Sequence, residues 1–387
     1  MAPQHLKKPL LKSTVESNNK VTEIVQGVIR DIRANGDKAV RTFSDKFDKW
    51  SPASFKLSGS QVQECIAQVP PQTIKDIKTA QENVRKFAEV QRASIKDVEV
   101  EIQPGSGSLL TGQDTSLEAG ILYLRLRTWP SISTGKVAGV NQVIACTPLI
   151  QGKLPNATIV GAHFAGADEI SVIGGTQAIA AMAICTETMK KVDFIAGPGN
   201  AFVASPQRLL FGEIGIDLFA GLTEAEHGPD TPSVLITTPE KVGRETIKIV
   251  DKLLENLPTS ELAGTSWRNY GEVILVDNVD EAYKLADEFS SEHVQILTEG
   301  PREALKKISN YGALFLGEKT CVSYGDKCIG TNHILPTRKT GNYTGGLWVS
   351  KFLKTQTYQE IVDERASGEM GRLYGQVLWE VFKGREL

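Results

Sequence analysis

The chain has 387 residues, 41% hydrophobic and 23% charged, with a formal net charge of -3. These values describe an ordinary soluble chain, long enough for two or three domains, with no electrostatic reason for a nucleic-acid or membrane partner. A small-molecule substrate is the default expectation. Five cysteines (Cys65, Cys146, Cys185, Cys321, Cys328) form no Cys-x-x-Cys pair and lie mostly in apolar surroundings, so reduced thiols and no disulfides are expected. The first residues, MAPQHLKKPLLKST, are positively charged but contain no apolar signal core, and no apolar run approaches the length of a membrane span. A cytoplasmic location is the corresponding expectation.

In chain order, VTEIVQGVIRDIRANGDKAVRTFSDKF repeats its apolar residues at helical spacing and breaks at Gly36, and PPQTIKDIKTAQENVRKFAEVQ does the same. Residues 1–104 therefore read as a helical region, expected to pack on the second of two lobes. Residues 105–135 show no sustained period and read as a long loop. From Lys136 the pattern becomes short β-branched runs alternating with helices, from NQVIACTP to KVDFIAGPG. The same rhythm returns after residue 231, from PSVLITT to ALFLGE, with the helical run VDEAYKLADEF and the strand EHVQIL inside it. The expected architecture is α/β: two doubly wound, Rossmann-like lobes, residues 105–223 and 224–345, with an N-terminal helical layer and a C-terminal tail at 346–387.

Strand-to-helix turns rich in glycine present backbone amides to a phosphate. Two occur, at Gly174–Gly175 ahead of Gln177 and at Gly197 and Gly199 ahead of Asn200, and neither is a G-x-G-x-x-G. The five histidines divide into His5 and His163, read as structural, and three others in chemically richer settings: His227 in TEAEHGPD, His293 in SSEHVQI and His333 in YGDKCIGTNHILPT. Glu292 and His293 stand at the mouth of a buried strand. They are either a helix-end polar residue with a backbone-satisfied histidine or an acid–base pair at a cleft. Asp326 with His333, and His227 with Glu224 or Glu226, together offer nitrogen and oxygen ligands of the kind zinc takes.

The stretches KVAGV, HFAGADEISVIGGTQAIAAMA, GPGNAFVA, FGEIGIDLFAG, AEHGPD, SSEHVQI and GDKCIGTNHILPT, in this order, closely resemble the histidinol dehydrogenase family. The resemblance runs along essentially the whole chain. The ending YTGGLWVSKFLKTQTYQEI is more similar to the sulfopropanediol dehydrogenase-like and fungal members than to the histidine-biosynthetic ones. The resemblance implies a zinc- and NAD-dependent enzyme that takes a small polar alcohol through an aldehyde to a carboxylic acid by two hydride transfers. His293 then matches the general base and Glu292 the group that activates water. His227 and Asp326 match zinc ligands, with Glu224 as a further oxygen ligand. Thr223 and His333 match substrate positions, and Gln177, Asn200 and Tyr123 match NAD-contacting positions. The first lobe, 105–223, is by this resemblance the NAD side. A homodimer is implied as well, because family active sites borrow residues from the partner subunit.

Three departures from the family pattern fall on functional parts. AGILYLRLRTWPS leaves Tyr123 without the family's Pro-Gly-Gly setting, Glu224 abuts Ala225 where the family carries a further strand, helix and ligand glutamine, and the chain ends at WEVFKGREL. Catalytic zinc has three protein ligands as a rule, so weak zinc binding is expected unless Glu224 substitutes. A sheet missing one strand leaves backbone donors and apolar side chains without partners, so reduced stability is expected as well. The departures leave two readings open: a working NAD-dependent alcohol dehydrogenase, or an impaired paralogue or truncated product acting as a non-enzymatic scaffold.

Overall fold

The computed structural model describes residues 3–11, 19–96, 98–102, 109–115, 129–197, 201–216, 231–331, 334–337, 339–361 and 364–382. A short strand β1 (Gln4–Lys7) precedes helices α1 (Asn19–Asp48), α2 (Gly59–Gln68) and α3 (Pro71–Ala93). At Gly36, with φ 52 and ψ -135, α1 kinks instead of ending. The Glu187 carboxylate accepts from the Asp37 amide at 2.8 Å there and occupies the space a Cβ at position 36 would need. Ser58 and Gln61 close a capping box on α2, and a proline opens α3.

A hairpin of β2 (Val98–Ile102) and β3 (Leu109–Thr115) leads to the first α/β series. That series comprises α4 (Trp129–Ala138), β4 (Ile144–Thr147), α5 (Asn156–Ala165), β5 (Glu169–Val172), α6 (Gly175–Ile184), β6 (Phe194–Ile195), α7 (Ala201–Leu210) and β7 (Gly215–Ile216). β4 pairs in parallel with β5, and β6 with β7. The second series comprises β8 (Val234–Thr237), α8 (Glu240–Leu254), α9 (Ser260–Tyr270), β9 (Glu272–Leu275), α10 (Val279–Phe289), β10 (His293–Ile296), α11 (Ala304–Lys307), β11 (Ala313–Leu316) and α12 (Val322–Lys327). β8 pairs in parallel with β9, and β10 with β11. Finally β12 (Thr355–Ile361) adds to β3 antiparallel, followed by α13 (Glu364–Phe382). The fold is α/β with two wound series, as the alternating pattern implied.

Three placements differ from expectation. The helical layer covers the first series and not the second: Val25, Val28, Ile32 and Val40 of α1 share one core with Ile173, Ile179 and Met182 at α6, and Val62 and Cys65 of α2 share another with Ile159 and Val160 of α5. The apolar faces of α1 and α2 are thereby matched to nearly all-apolar partners, which bury more surface than the polar flanks of α8 and α10 would. Among the described residues of 1–104 only β1, antiparallel to β9, joins a sheet of the second series, while α3 reaches Cys328 through the Asn83 amide at 2.7 Å. The stretch 105–135 is not one long loop either, since β3 and the start of α4 lie in it. Leu347 and Phe352, assigned from sequence to a tail, are buried in the core of the first series. Among the described residues no helix is long and apolar enough to cross a membrane.

Candidate active site

The segment SSEHVQI is shaped from both sides. Asn278 caps α10 by accepting from the Glu281 amide at 2.9 Å, and the helix ends in a left-handed residue, Ser290, with φ 48. A Cβ at Gly341 would lie 2.6 Å from Ser290 Oγ, so the later segment presses closely on this turn. The chain then enters β10, where side chains alternate between faces. Val294 and Ile296 point into a cluster with Tyr283, Ala304 and Ile308, which leaves His293 on the opposite face. Its ring lies against Phe315 of β11, centroids 6.0 Å apart and tilted by 30°.

Helix α12 brings Asp326 to the same place, with Oδ1 3.8 Å from His293 Nε2 and side-chain exposures of only 14% and 15%. That separation is beyond a hydrogen bond. A Cβ at Gly325 would sit 2.7 Å from the Phe315 ring, so only glycine lets α12 lie this close over β11. His293 Nε2 is buried without a hydrogen bond among the described residues, and Glu292 Oε2 is likewise shielded from solvent. A buried imidazole nitrogen with no protein partner is uncommon outside functional sites, and here it has a carboxylate close by and a second one on the preceding residue. Backbone bonding fixes the pair, because the Glu292 carbonyl accepts from the Ala313 amide at 2.8 Å. Beyond α12, Gly330 at φ 113 lies against the Asn83 backbone, which anchors the loop to α3.

The starts of α6 and α7 in the first series also meet. Thr176 Oγ1 donates to the Phe202 carbonyl at 2.7 Å and Gln207 Nε2 to the Gly197 carbonyl at 3.2 Å, so the first turns of α6 and α7 lie side by side beyond the ends of β5 and β6. Gly175 takes φ 66, and a Cβ at Gly174 would be 2.7 Å from Pro148 Cβ. The resulting cradle of backbone at two helix starts suits a pyrophosphate. Gln177 is 1% exposed and donates through Nε2 to Asp48 Oδ2 at 2.8 Å, which places its side chain beneath the turn.

Of the residues singled out from sequence, the structure brings His293 and Asp326 together, with Glu292 next to His293 in the chain, and sets Gln177 at the Gly174–Gly175 turn. Tyr123, Asn200, Thr223, Glu224, His227 and His333 lie outside the described residues. Among the described residues no group of three His, Cys, Asp or Glu side chains converges on one point. Asp326, the one described member of the expected zinc set, fits that role: a nearly buried oxygen donor facing the candidate base. Sequence reasoning missed Asp48, Phe315 and Gly325, whose roles come from contacts with residues distant in the chain.

The family model of histidinol dehydrogenase matches residues 11–225 and 222–374, two stretches that meet at the Glu224–Ala225 junction. A histidinol dehydrogenase homolog from Shouchella clausii is 47% identical over 386 residues, covering 92% of this chain and 90% of the relative. Sulfopropanediol 3-dehydrogenase from Ruegeria pomeroyi is 35% identical over 413 residues, covering 97% and 94%. The crystal structure of histidinol dehydrogenase from Elizabethkingia anophelis superposes with a TM-score of 0.82 at 28% identity, covering 91% of this chain and 87% of that one. The chain therefore belongs to the histidinol dehydrogenase family of NAD-dependent alcohol dehydrogenases.

Proposed function

We propose that this chain oxidises a small polar alcohol, histidinol-like or sulfopropanediol-like, through an aldehyde to the carboxylic acid, with NAD and with zinc assistance. The observation that carries the reading is the nearly buried His293 imidazole, its Nε2 without a hydrogen bond among the described residues, beside Asp326 and next in sequence to Glu292. His293 takes the hydroxyl proton during the first oxidation, a task suited to an imidazole whose ordinary pKa lies near neutrality. Glu292 withdraws a proton from the water that adds to the aldehyde, and the hydrate so formed is the substrate of the second oxidation. Bound NAD supplies the hydride acceptor in both steps, and a zinc ion supplies a fixed positive charge on the alcohol's oxygen or amine. Asp326, His227 and Glu224 would hold the metal; Gln177, Asn200 and Tyr123 belong to the NAD side, and Thr223 and His333 to the substrate.

The reading includes a cytoplasmic homodimer that acts on a small molecule, with no nucleic-acid or membrane partner. The test is to incubate the purified chain with NAD and, separately, L-histidinol and sulfopropanediol. The expected result is two NADH formed for each alcohol consumed, with the acid as product. No NADH with either alcohol, together with no NAD binding, would replace this reading by the non-enzymatic scaffold.

A further inference from the structure

The segment that follows α1 is fastened along β5 up to the glycine turn. Leu57 N donates to the Ile170 carbonyl at 2.9 Å, Val172 N to the Phe55 carbonyl at 2.8 Å and the Trp50 indole to the Val172 carbonyl at 3.0 Å. Lys56 adds an ion pair to Glu169 at 3.0 Å. At the end of this run Asp48 accepts from Gln177 Nε2 at 2.8 Å. An ionised carboxylate only accepts, so this bond fixes which end of the Gln177 amide faces α1. The other end, Oε1, then lies against Gly175: a Cβ there would be 3.0 Å from it.

We propose that Asp48 is a positioning residue for NAD, acting through Gln177: the pair forms a brace beneath the Gly174–Gly175 turn and holds the turn in the shape that receives the cofactor. The inference rests on the reading that NAD occupies this turn. A carboxylate is poorly placed here for stability alone, because burial pushes the Asp48 carboxyl up and the Gln177 amide only partly offsets this. The brace explains its presence: a side chain at position 48 without an acceptor oxygen would leave the amide free to rotate and Gly175, at φ 66, without its backing.

The test is a double-mutant cycle on NAD affinity, measured by calorimetry with NAD as the titrant on the full chain. Asp48→Ala and Gln177→Ala are each expected to weaken NAD binding by about tenfold, the scale of one hydrogen bond to a charged group. The double variant is expected to bind no more weakly than Gln177→Ala, and KM for the alcohol is expected to stay near that of the wild type. Asp48→Asn, which keeps an acceptor oxygen, is expected to retain most of the affinity, and thermal melts confirm that each variant folds. Wild-type affinity in Asp48→Ala alongside weakened binding in Gln177→Ala would overturn the brace while leaving the turn as the NAD site. Effects that multiply in the double variant would also overturn it. Unchanged affinity in both single variants of a chain that does bind NAD would move the cofactor elsewhere and remove the turn reading and the brace together.

Discussion

His293 opens a strand whose next residue and next but two are core, so its ring must face away from that core and toward Phe315 and Asp326. The Glu-His pair and Asp326 were legible in the sequence because each sits in a short ordered motif. Asp48 was not, since its partner Gln177 lies 129 positions away and nothing local marks it. Asp48 carries a pH prediction. Its folded-state pKa is raised, chiefly by burial, so the folded chain holds this proton more tightly than the unfolded one. The ionised group therefore opposes folding at neutral pH, and the opposition fades as pH falls through the raised value. Asp48→Asn is expected to melt no lower than wild type at neutral pH, with any advantage shrinking in acid; a lower neutral melting point would contradict this. Thiol chemistry gives a second residue-scale outcome. Burial pushes the Cys146 thiol up to about 12, whereas Cys185 and Cys328 are exposed. Iodoacetamide at mildly alkaline pH should label Cys185 and Cys328 within the native chain and Cys146 only after unfolding, as read by peptide mass spectrometry.

At the scale of elements, the strand and helix pattern of both series was readable because α8 and α10 are amphipathic and the strands are short β-branched runs. α4 was missed for a physical reason: Pro130 through Gly135 are all buried, and a helix without a solvent face leaves no polar–apolar period to detect. Its Ser, Thr and Gly residues lower the helix propensity further, so tertiary packing decides the conformation. The contact between β11 and the Glu292–His293 segment depends on Gly312, where a Cβ would stand 2.6 Å from the Glu292 carbonyl and 2.8 Å from Pro336 Cδ. Both are backbone or ring atoms and cannot swing aside. Gly312→Ala is thus expected to destabilise the fold by roughly 1–3 kcal/mol, the usual range for overpacking, and to reduce turnover by displacing Glu292. A urea titration and a rate assay check the two effects; an unchanged midpoint would show that the segment yields freely.

Across the whole molecule, β12 contributes no residue to the three apolar clusters of the described residues. All seven residues of β12 are exposed, among them Tyr358 and Ile361, and Leu373 and Tyr374 of α13 are exposed beside them. Such a surface suits a second copy of the chain, and sedimentation at micromolar concentration is expected to show a dimer; monomer alone would contradict it. Zinc content belongs to this scale too, because the proposed ligand set of Glu224, His227 and Asp326 spans both sides of the Glu224–Ala225 junction in sequence. With Glu224 in place of the family's glutamine, zinc is expected to be held weakly: dialysis against a chelator should remove it and abolish turnover, and added zinc should restore the rate. Zinc that resists the chelator would show a site rebuilt to full strength.

The proposed division of labour between Glu292 and His293 is decided by counting NADH per alcohol in the Glu292→Gln and His293→Ala variants. Glu292→Gln is expected to oxidise the alcohol still but stop at one NADH, with aldehyde accumulating, while His293→Ala is expected to be impaired already in the first oxidation. Equal loss of both half-reactions in Glu292→Gln would contradict it.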